Sequence, residues 1–211
     1  MRTVGITGRS GCGKSTVTAL FVERGIPVAD ADQISRAILL PGSPVLEKLT
    51  ERFGPDILEP DTGALRRRLL ADRAFATPEG KTALDEITHP EIIRRVRAAR
   101  QAAREAGSPL FAIDGAVIVG TALEAECDDL VVVTAPYETS VERIARRDGI
   151  SAEMARRRLD AQTPEDVLTA RASFRLENTG TLETLRQVAG RVLDQLLDRA
   201  AGQKGGSGRS I

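Results

Sequence analysis

The fold of this chain is decided near its N-terminus, by the stretch Gly5-Ile6-Thr7-Gly8-Arg9-Ser10-Gly11-Cys12-Gly13-Lys14-Ser15-Thr16. Gly8, Gly13, Lys14 and Ser15 match the spacing G-x-x-x-x-G-K-[ST] of a phosphate-binding loop without a gap or a substitution. Alternating apolar residues precede the stretch, as in a short strand, and apolar residues at helical spacing follow it. The sequence therefore predicts a strand, a phosphate loop and a helix, in that order.

Each residue type in the loop suits the binding of a triphosphate. Glycine lets the chain turn tightly and present its backbone N–H groups to an anion, and the positive end of the following helix adds to the attraction. Lys14 is expected to reach the β- and γ-phosphates, and Ser15 to offer its hydroxyl to Mg²⁺. We therefore predict ATP and Mg²⁺ as cofactors. The residues expected to hold ATP are Gly8, Ser10, Gly11, Cys12, Gly13, Lys14, Ser15 and Thr16.

A dinucleotide-binding loop is the rival interpretation of this stretch, and Cys12 within it allows two interpretations of its own. A dinucleotide-binding loop, G-x-G-x-x-G, would start at Gly11 and Gly13, but Thr16 stands where its third glycine belongs, so we reject it. Cys12 precedes a helix N-terminus, which would lower the pKa of its thiol and make it oxidisable. The alternative for Cys12 is a small residue at a variable loop position, and both interpretations stay open.

Composition limits the classes of protein to which the chain can belong. Its 211 residues suffice for the core of one domain, with room for inserted subdomains. Its 30 basic and 30 acidic residues leave no net charge that would call for nucleic acid or a membrane surface as a partner. The 2 cysteines are too few for a disulfide framework or a zinc site, and no apolar run reaches the length of a membrane span. We expect a soluble, cytoplasmic protein that is a monomer or a small homo-oligomer.

Two carboxylates follow the second predicted strand. The stretch Gly25–Asp32 has the pattern of a short strand that ends in Asp30 and Asp32. A strand, a helix and a second strand form a right-handed βαβ unit with parallel strands, and such sheets bind ligands beyond the carboxyl ends of their strands. Asp30 and Asp32 should therefore lie near the phosphate loop, where one of them would contact the phosphoryl acceptor. The alternative is that Asp32 only caps the helix predicted from Gln33 to about Leu40.

The segment from Pro41 to about Ala106 has apolar residues at helical spacing and no strand pattern. It therefore looks like a helical insertion into an α/β core. Arg66-Arg67-Arg68 and His89-Pro90 stand out within it. Either motif can contact a ligand, although an arginine run is more often a solvated face and a His-Pro pair is more often a structural turn.

The α/β core resumes after the insertion. Leu110–Asp114 is an apolar strand that ends in an acid, and Asp114 would orient the water ligands of Mg²⁺. Leu130–Thr134 has the β-branched pattern of a buried parallel strand. Two arginine-bearing helices follow, one from about Glu138 to Asp148 and one capped by Ser151, and they suit a lid that closes over a nucleotide. A last strand, 174–178, and a final apolar-faced helix complete the core.

This organisation predicts an α/β protein with the three-layer P-loop NTPase fold, in which a parallel sheet carries an inserted helical acceptor-binding region and a helical lid. The predicted boundaries are 1–32, 107–136 and 171–201 for the nucleotide-binding core, 33–106 for the acceptor-binding insertion, 137–170 for the lid and 202–211 for a flexible tail.

Taken together, the motifs resemble those of the dephospho-coenzyme A kinase family, from about Arg2 to Leu197. Each motif is weak alone, but the ordered set at the family's spacings is specific. Besides the phosphate loop, the motifs are Asp30-Ala31-Asp32, Pro41-Gly42, Gly63-Ala64-Leu65-Arg66-Arg67, His89-Pro90, Arg147-Asp148, Gln162 and Asn178-x-Gly180.

The resemblance implies transfer of the γ-phosphoryl group of ATP to the ribose 3′-hydroxyl of the small-molecule substrate dephospho-coenzyme A. It also implies a base for that hydroxyl, a set of acceptor contacts, a lid arginine and a site for the adenine of ATP. The implied residues are Asp32 and Arg147 for catalysis, Asp32, Arg67 and His89 for the acceptor, and Asn178 and Gly180 near the adenine. Lys14, assigned above from the phosphate loop, completes the predicted catalytic set, and Ser15 and Asp114 remain the predicted metal ligands.

One segment departs from the family pattern. The family usually follows its acidic strand with a Pro-Leu-Leu-aromatic-Glu run, whereas this chain has Ala116-Val117-Ile118-Val119-Gly120. The absence of the proline and the glutamate leaves open a shifted substrate or a weakened enzyme. Two alternatives stay open. One is a nucleoside or nucleotide kinase, since the same core and lid serve any small phosphoryl acceptor, and the other is a nucleotide-binding protein with little catalysis, which only the altered segment suggests.

Overall fold

The computed structural model describes residues 1–116 and 118–205. The chain forms two compact units, one of Met1–Ala29 with the chain from Arg100 onward and one of Asp30–Ala99. We call them the core unit and the helical unit. The helical unit begins a few residues before the predicted start of the insertion, which was placed at 33–106, and ends a few residues before its predicted end.

The central sheet, as far as the structure describes the chain, has five strands in the order β2-β3-β1-β4-β5. β1 pairs in parallel with both β3 and β4, and β4 pairs in parallel with β5, as the sequence predicted. β1 lies in the middle, so the loop that follows it leaves the sheet at its centre. The strands are β1 (Arg2–Thr7), β2 (Val28–Asp30), β3 (Leu110–Asp114), β4 (Asp129–Thr134) and β5 (Phe174–Glu177).

Packing on the sheet fixes the helix that follows the phosphate loop. Every residue of β3 and β4 is buried, as expected for parallel strands covered on both faces. Helix α1 (Lys14–Glu23) buries Val17 and Phe21 in the main core, which also contains the inner face of a long C-terminal helix. Because α1 is anchored in this way, its N-terminus presents the loop from a rigid support.

The helical unit contains helices α2 (Ala31–Ala37), α3 (Pro44–Phe53), α4 (Arg67–Ala74) and most of α5 (Pro78–Glu105). Ile38, Leu49 and Ile57 form the fully buried centre of its own small core. In the described part of this unit, the one β-type pairing outside strands is a bridge between Leu58 and Leu65. The helical character of this region was therefore predicted correctly.

The His89-Pro90 pair is not a turn, so that interpretation was wrong. Pro90 lies inside α5, which continues for more than three turns beyond it. Proline has no N–H to donate to the carbonyl four residues earlier, and long helices tolerate this loss where tertiary packing holds them.

The predicted lid corresponds to helices α6 (Tyr137–Asp148), α7 (Ala152–Asp160) and α8 (Glu165–Ala170) of the core unit. Ser151 caps α7 as predicted, since its hydroxyl accepts a hydrogen bond from the Met154 N–H at 3.2 Å. The last helix, α9 (Leu182–Gly205), extends beyond residue 201, so the first residues of the predicted tail 202–211 are helical. Residues 206–211 lie outside the described residues.

None of the helices in the described residues combines the length and the apolar character required to cross a bilayer.

Candidate active site

The phosphate loop connects the end of β1 to the N-terminus of α1, as predicted. Its backbone needs glycine at two positions in particular. Gly13 caps α1 with φ 101°, and a Cβ there would lie 2.5 Å from the Asn178 Nδ2 atom. A Cβ on Gly11, which has φ 79°, would lie 2.6 Å from the Ser140 carbonyl oxygen at the start of α6. Glycine thus allows both the turn and the close approach of neighbouring chain.

Lys14 and Asp114 form an ion pair beside this loop. Asp114 ends β3 and is only 7% exposed, and its Oδ1 atom accepts a hydrogen bond from the Lys14 ammonium group. The second carboxylate oxygen, Oδ2, accepts from the Thr18 hydroxyl at 2.8 Å. Asp114 therefore stands next to the group that is expected to meet the β- and γ-phosphates.

Thr18 is a residue that the sequence analysis missed. It lies one helical turn after Lys14 on α1, on the same face. The available signal was a polar residue four positions after the loop lysine. That helical spacing places the side chains of Lys14 and Thr18 on one face of α1, where both contact Asp114.

The chemistry of Ser15 and Asp114 fits Mg²⁺. Ser15 is exposed, and its hydroxyl has no hydrogen-bond partner within the described ranges. Those same ranges contain no cluster of three or more His, Cys, Asp or Glu side chains that could hold a metal by themselves. Mg²⁺ prefers hard oxygen ligands and is usually bound by one or two protein groups together with substrate phosphates and water. The Ser15 hydroxyl and the Asp114 carboxylate, which contacts the adjacent Lys14, have the oxygen-donor chemistry of the protein share of such a site.

Asn178 holds the loop from behind. Its side chain is 6% exposed, and its Nδ2 atom donates to the Cys12 carbonyl at 2.8 Å. Its backbone N–H donates to the Thr134 carbonyl at 2.8 Å, which ties it to the end of β4. Gly180 lies exposed a short distance further along the chain. The role of these two residues near adenine stays a prediction.

The low-pKa interpretation of Cys12 was wrong. Its side chain is 2% exposed, and burial raises the pKa of its thiol to about 11. Backbone N–H groups and Lys14 act in the opposite direction but do not outweigh the loss of water. Cys12 is therefore a small buried residue of the loop, consistent with the second interpretation.

The lid segment contacts the first half of the loop directly. Gln162, just after α7, accepts a hydrogen bond from the Ser10 N–H at 2.8 Å and donates one to the Ser10 hydroxyl at 2.9 Å. Arg9 donates to the Leu159 carbonyl at 2.5 Å, near the C-terminus of α7. Arg143, on α6, donates to the Gly11 carbonyl at 3.1 Å. Neither Arg9 nor Arg143 was among the residues to which the sequence had assigned a role.

Arg147, the predicted catalytic arginine of the lid, does not contact the loop in this structure. Its guanidinium pairs with Asp148 at 2.7 Å, and its side chain is 61% exposed. Asp148 also pairs with Arg158 of α7. Arg147 is thus an accessible arginine on the lid, and its contact with a phosphate stays a prediction.

In the helical unit, Asp30 rather than Asp32 caps α2. The Asp30 carboxylate accepts a hydrogen bond from the Gln33 N–H at 2.8 Å, and α2 starts at Ala31 instead of the predicted Gln33. The capping interpretation of Asp32 was therefore wrong. Asp32 lies in the first turn of α2, half-buried, and its carboxylate has no partner among the residues that the structure describes.

The neighbouring residues Arg66 and Arg67 likewise differ in whether their side chains have a partner. Arg66 forms an ion pair with Glu59 at 2.9 Å. Arg67, the first residue of α4, is exposed, and within the described ranges its guanidinium has no partner. Of these two neighbours, Arg67 is therefore the one whose charge is free for a ligand.

His89 lies on an open groove along α5 with a volume of about 690 Å³. Its Nε2 atom is 3.4 Å from Asp85, one turn earlier, and both side chains are about one-third exposed. Pro90 and Ile93 supply apolar lining beside it. The groove offers an imidazole next to apolar surface, which suits an organic acceptor.

The segment that departs from the family pattern is described except for Val117. Ile118 is fully buried, and the Gly120 N–H donates to the Glu124 carboxylate at 2.8 Å. Ile118 and Gly120 thus have structural contacts of their own, while the effect of the segment on the acceptor stays open.

Comparison with known proteins gives a consistent result. The family model described as dephospho-CoA kinase matches residues 2–184. The dephospho-CoA kinase of Anaeromyxobacter dehalogenans is 43% identical over 213 residues, which cover 100% of this chain and 96% of that protein. The dephospho-CoA kinase of Corynebacterium glutamicum is 38% identical over 199 residues, which cover 94% of this chain and 99% of that protein.

Solved structures agree with this assignment. The protein TT1252 from Thermus thermophilus superposes with a TM-score of 0.77 at 34% identity, covering 92% of this chain and 97% of that one. The dephospho-CoA kinase from Campylobacter jejuni superposes with a TM-score of 0.58 at 26% identity, with the same two coverages. By its full-length sequence matches and by its fold, this chain belongs to the dephospho-CoA kinase family.

Proposed function

We propose that this protein transfers the γ-phosphoryl group of ATP to the ribose 3′-hydroxyl of dephospho-coenzyme A, which gives coenzyme A and ADP. Membership of the dephospho-CoA kinase family supports the choice of acceptor. The structural observation that carries the proposal is the phosphate loop at the N-terminus of α1, with Lys14 and Asp114 paired beside it.

ATP binds through the loop. The phosphate loop and the positive end of α1 face its phosphates, and Lys14 neutralises charge on the β- and γ-phosphates. Ser15, through its hydroxyl, and Asp114 would hold Mg²⁺, which would supply positive charge beside the β- and γ-phosphates. Asn178 and Gly180 lie near the adenine.

The acceptor binds through Asp32, Arg67 and His89. Asp32 accepts the proton of the ribose 3′-hydroxyl. As it does so, the 3′-oxygen bonds to the γ-phosphorus of ATP, and the bond between that phosphorus and the leaving oxygen of ADP breaks. The free carboxylate of Asp32 and the unpaired guanidinium of Arg67 support these roles, since neither is engaged by a structural partner in the described part of the chain. Arg147 stabilises the transferring group once the lid closes on ATP.

We further propose how the chain divides its work and where it acts. Residues 33–106 bind the acceptor and residues 137–170 form the lid. The protein acts in the cytoplasm on small molecules, without nucleic acid or membrane partners, as a monomer or a small homo-oligomer. The balance of 30 basic and 30 acidic residues supports the absence of a polyanionic partner.

A coupled assay with purified protein, ATP, Mg²⁺ and dephospho-coenzyme A tests the proposal. We expect ADP and coenzyme A to form in equal amounts, with the new phosphate on the ribose 3′-oxygen by ³¹P NMR. A panel of nucleosides and nucleoside monophosphates is the control for acceptor choice. Faster turnover of any of these would favour a nucleoside or nucleotide kinase. Tight ATP binding without any product would favour a nucleotide-binding protein with little catalysis.

A further inference from the structure

Asp114 is held by two donors that behave differently when a nucleotide binds. One carboxylate oxygen accepts from the Lys14 ammonium group, at the end of a flexible four-carbon chain. The other oxygen accepts from the Thr18 hydroxyl at 2.8 Å. That hydroxyl is attached to the Cβ atom of Thr18 and is therefore held close to the backbone of α1. The carboxylate is therefore attached to one mobile partner and one rigid partner.

The Thr18 hydroxyl has a choice of acceptors. It lies 3.2 Å from the Lys14 carbonyl oxygen, the usual acceptor for a threonine inside a helix, and 2.8 Å from the Asp114 carboxylate. A hydroxyl has one proton to donate, and an ionised carboxylate is the stronger acceptor. Thr18 therefore donates to Asp114.

Nucleotide binding must break the other contact. When Lys14 turns to the β- and γ-phosphates, its ammonium group leaves the carboxylate that it contacts here. Asp114 then remains as a charged group that is only 7% exposed, with the Thr18 hydroxyl as its remaining hydrogen-bond donor among the described residues. Without that donor, no hydrogen bond among the described residues would fix the orientation of the carboxylate.

We propose that Thr18 is a positioning residue of the nucleotide site, whose hydroxyl keeps Asp114 in one orientation while Lys14 exchanges that carboxylate for the phosphates of ATP. The inference rests on the proposed function, because it assigns Asp114 to Mg²⁺. Partners that orient a metal-binding group typically change metal affinity by about 10- to 100-fold when removed. The Mg²⁺-dependent part of nucleotide binding should therefore depend on a hydroxyl at position 18.

Isothermal titration of ATP into the full chain, with Mg²⁺ and with EDTA, tests the inference. Thr18→Val removes the hydroxyl at nearly constant volume, and it should weaken binding of Mg·ATP by about 10-fold. It should leave binding of metal-free ATP within about twofold, because the loop and Lys14 are untouched. Thr18→Ser keeps the hydroxyl and should restore Mg·ATP binding to within about twofold of the wild type.

Thr50→Val is the matched control. Thr50 is also a helical threonine, but among the described residues its hydroxyl donates only to the Glu47 carbonyl of its own helix. This variant should bind ATP like the wild type under both conditions. Thr18→Ala serves as a second hydroxyl-free variant should Thr18→Val prove unstable in thermal melts.

Three results would overturn the inference. Valine and alanine differ in side-chain volume but both lack the hydroxyl, so an unchanged Mg·ATP affinity in both Thr18→Val and Thr18→Ala would exclude a role for the hydroxyl. An equal loss with and without Mg²⁺ would mean that Thr18 supports the loop rather than Asp114. A Thr18→Ser variant as weak as Thr18→Val would point to packing of the methyl group. Failure of the wild type itself to bind Mg·ATP would instead reject the proposed function, and the inference with it.

Discussion

The side-chain amide of Gln162 contacts both the backbone N–H and the hydroxyl of Ser10, since Oε1 accepts from the Ser10 N–H at 2.8 Å and Nε2 donates to the Ser10 hydroxyl at 2.9 Å. Ser10 belongs to the phosphate loop, and Gln162 follows α7 of the lid. Arg9 adds a hydrogen bond to the Leu159 carbonyl in the last turn of the same helix. The lid is therefore tied to the loop through the end of one helix.

Breaking this tie should speed nucleotide exchange. Gln162→Leu removes both hydrogen bonds to Ser10. If the pair stabilises the closed lid by a net of about 1 kcal/mol, its loss should make the lid open about fivefold faster. We expect the dissociation rate constant of a fluorescent ADP analogue, measured by stopped flow, to rise by about that factor. Ser10→Ala removes only the hydroxyl contact and should give a smaller increase. A dissociation rate unchanged in both variants would mean that the lid does not limit release.

Lys14 should be the most important single side chain for turnover. The transition state of phosphoryl transfer is loose, so most of the acceleration comes from positioning and from neutralising charge. We expect Lys14→Ala to lower kcat by at least about 100-fold in the coupled assay, by analogy with the loss of one charge-stabilising contact. The variant also leaves the buried Asp114 without its cation, so a thermal melt must accompany the kinetics. Near-normal turnover in a folded Lys14→Ala protein would refute the assignment.

Asp32 and Asp30 can be separated because only one of them caps α2. Asp32→Asn removes the proposed base and should lower kcat by about 10²- to 10⁴-fold while leaving the free energy of unfolding unchanged. Asp30→Ala removes the cap and should lower the free energy of unfolding by about 1 kcal/mol, measured by urea denaturation. Full activity in Asp32→Asn, with ATP affinity and stability intact, would exclude Asp32 as the base.

Arg147 and Arg146 provide a matched pair on the lid. Both lie in the last turn of α6 and both are exposed, but Arg147 is the residue that the family resemblance implies. Arg147→Ala should lower kcat by about 100-fold if its guanidinium reaches the transferring phosphoryl group. Arg146→Ala removes the same charge from the same turn and should change kcat by less than about twofold, since surface charges contribute little. Equal effects of the two substitutions would indicate a general electrostatic contribution of the lid.

The parts of this fold that the sequence predicted well depend on local patterns. The phosphate loop follows from a fixed spacing of glycines and a lysine, and β3 and β4 follow from uninterrupted apolar runs in fully buried strands. The cap of α7 by Ser151 is likewise a local interaction between neighbours in sequence. Such features are encoded within a few residues, so a single sequence is enough to find them.

The errors arose where neighbours in sequence compete or where tertiary packing decides. Asp30 and Asp32 are two positions apart and chemically equivalent as caps, so no local signal supported the prediction of Asp32, and α2 begins directly after Asp30 instead. Pro90 reads as a helix breaker, but packing of the helical unit keeps α5 continuous through it. The contact between Gln162 and Ser10 spans 152 positions, and no local pattern predicts such a pair.

Cys12 and Cys127 should both resist thiol reagents in the native protein. Burial raises the pKa of Cys12 to about 11 and, together with the nearby carboxylates of Asp128 and Glu126, raises that of Cys127 to about 12. Since a raised pKa means less thiolate at a given pH, the thiolate fraction of Cys12 at pH 8 is about one in a thousand. Modification by iodoacetamide should therefore be slow at pH 8.

The pH dependence of the alkylation rate distinguishes a raised thiol pKa from simple steric exclusion of the reagent. If the thiolate reacts in the native state, the rate should rise about tenfold for each unit between pH 8 and pH 10, because both pKa values lie above that range. Urea-unfolded protein is the control, and both of its thiols should react rapidly at pH 8, near the ordinary cysteine pKa. Peptide mass spectrometry identifies the modified residue. Rapid alkylation of native Cys12 at pH 7 would contradict the buried, neutral thiol and would return the reactive-cysteine interpretation of the loop.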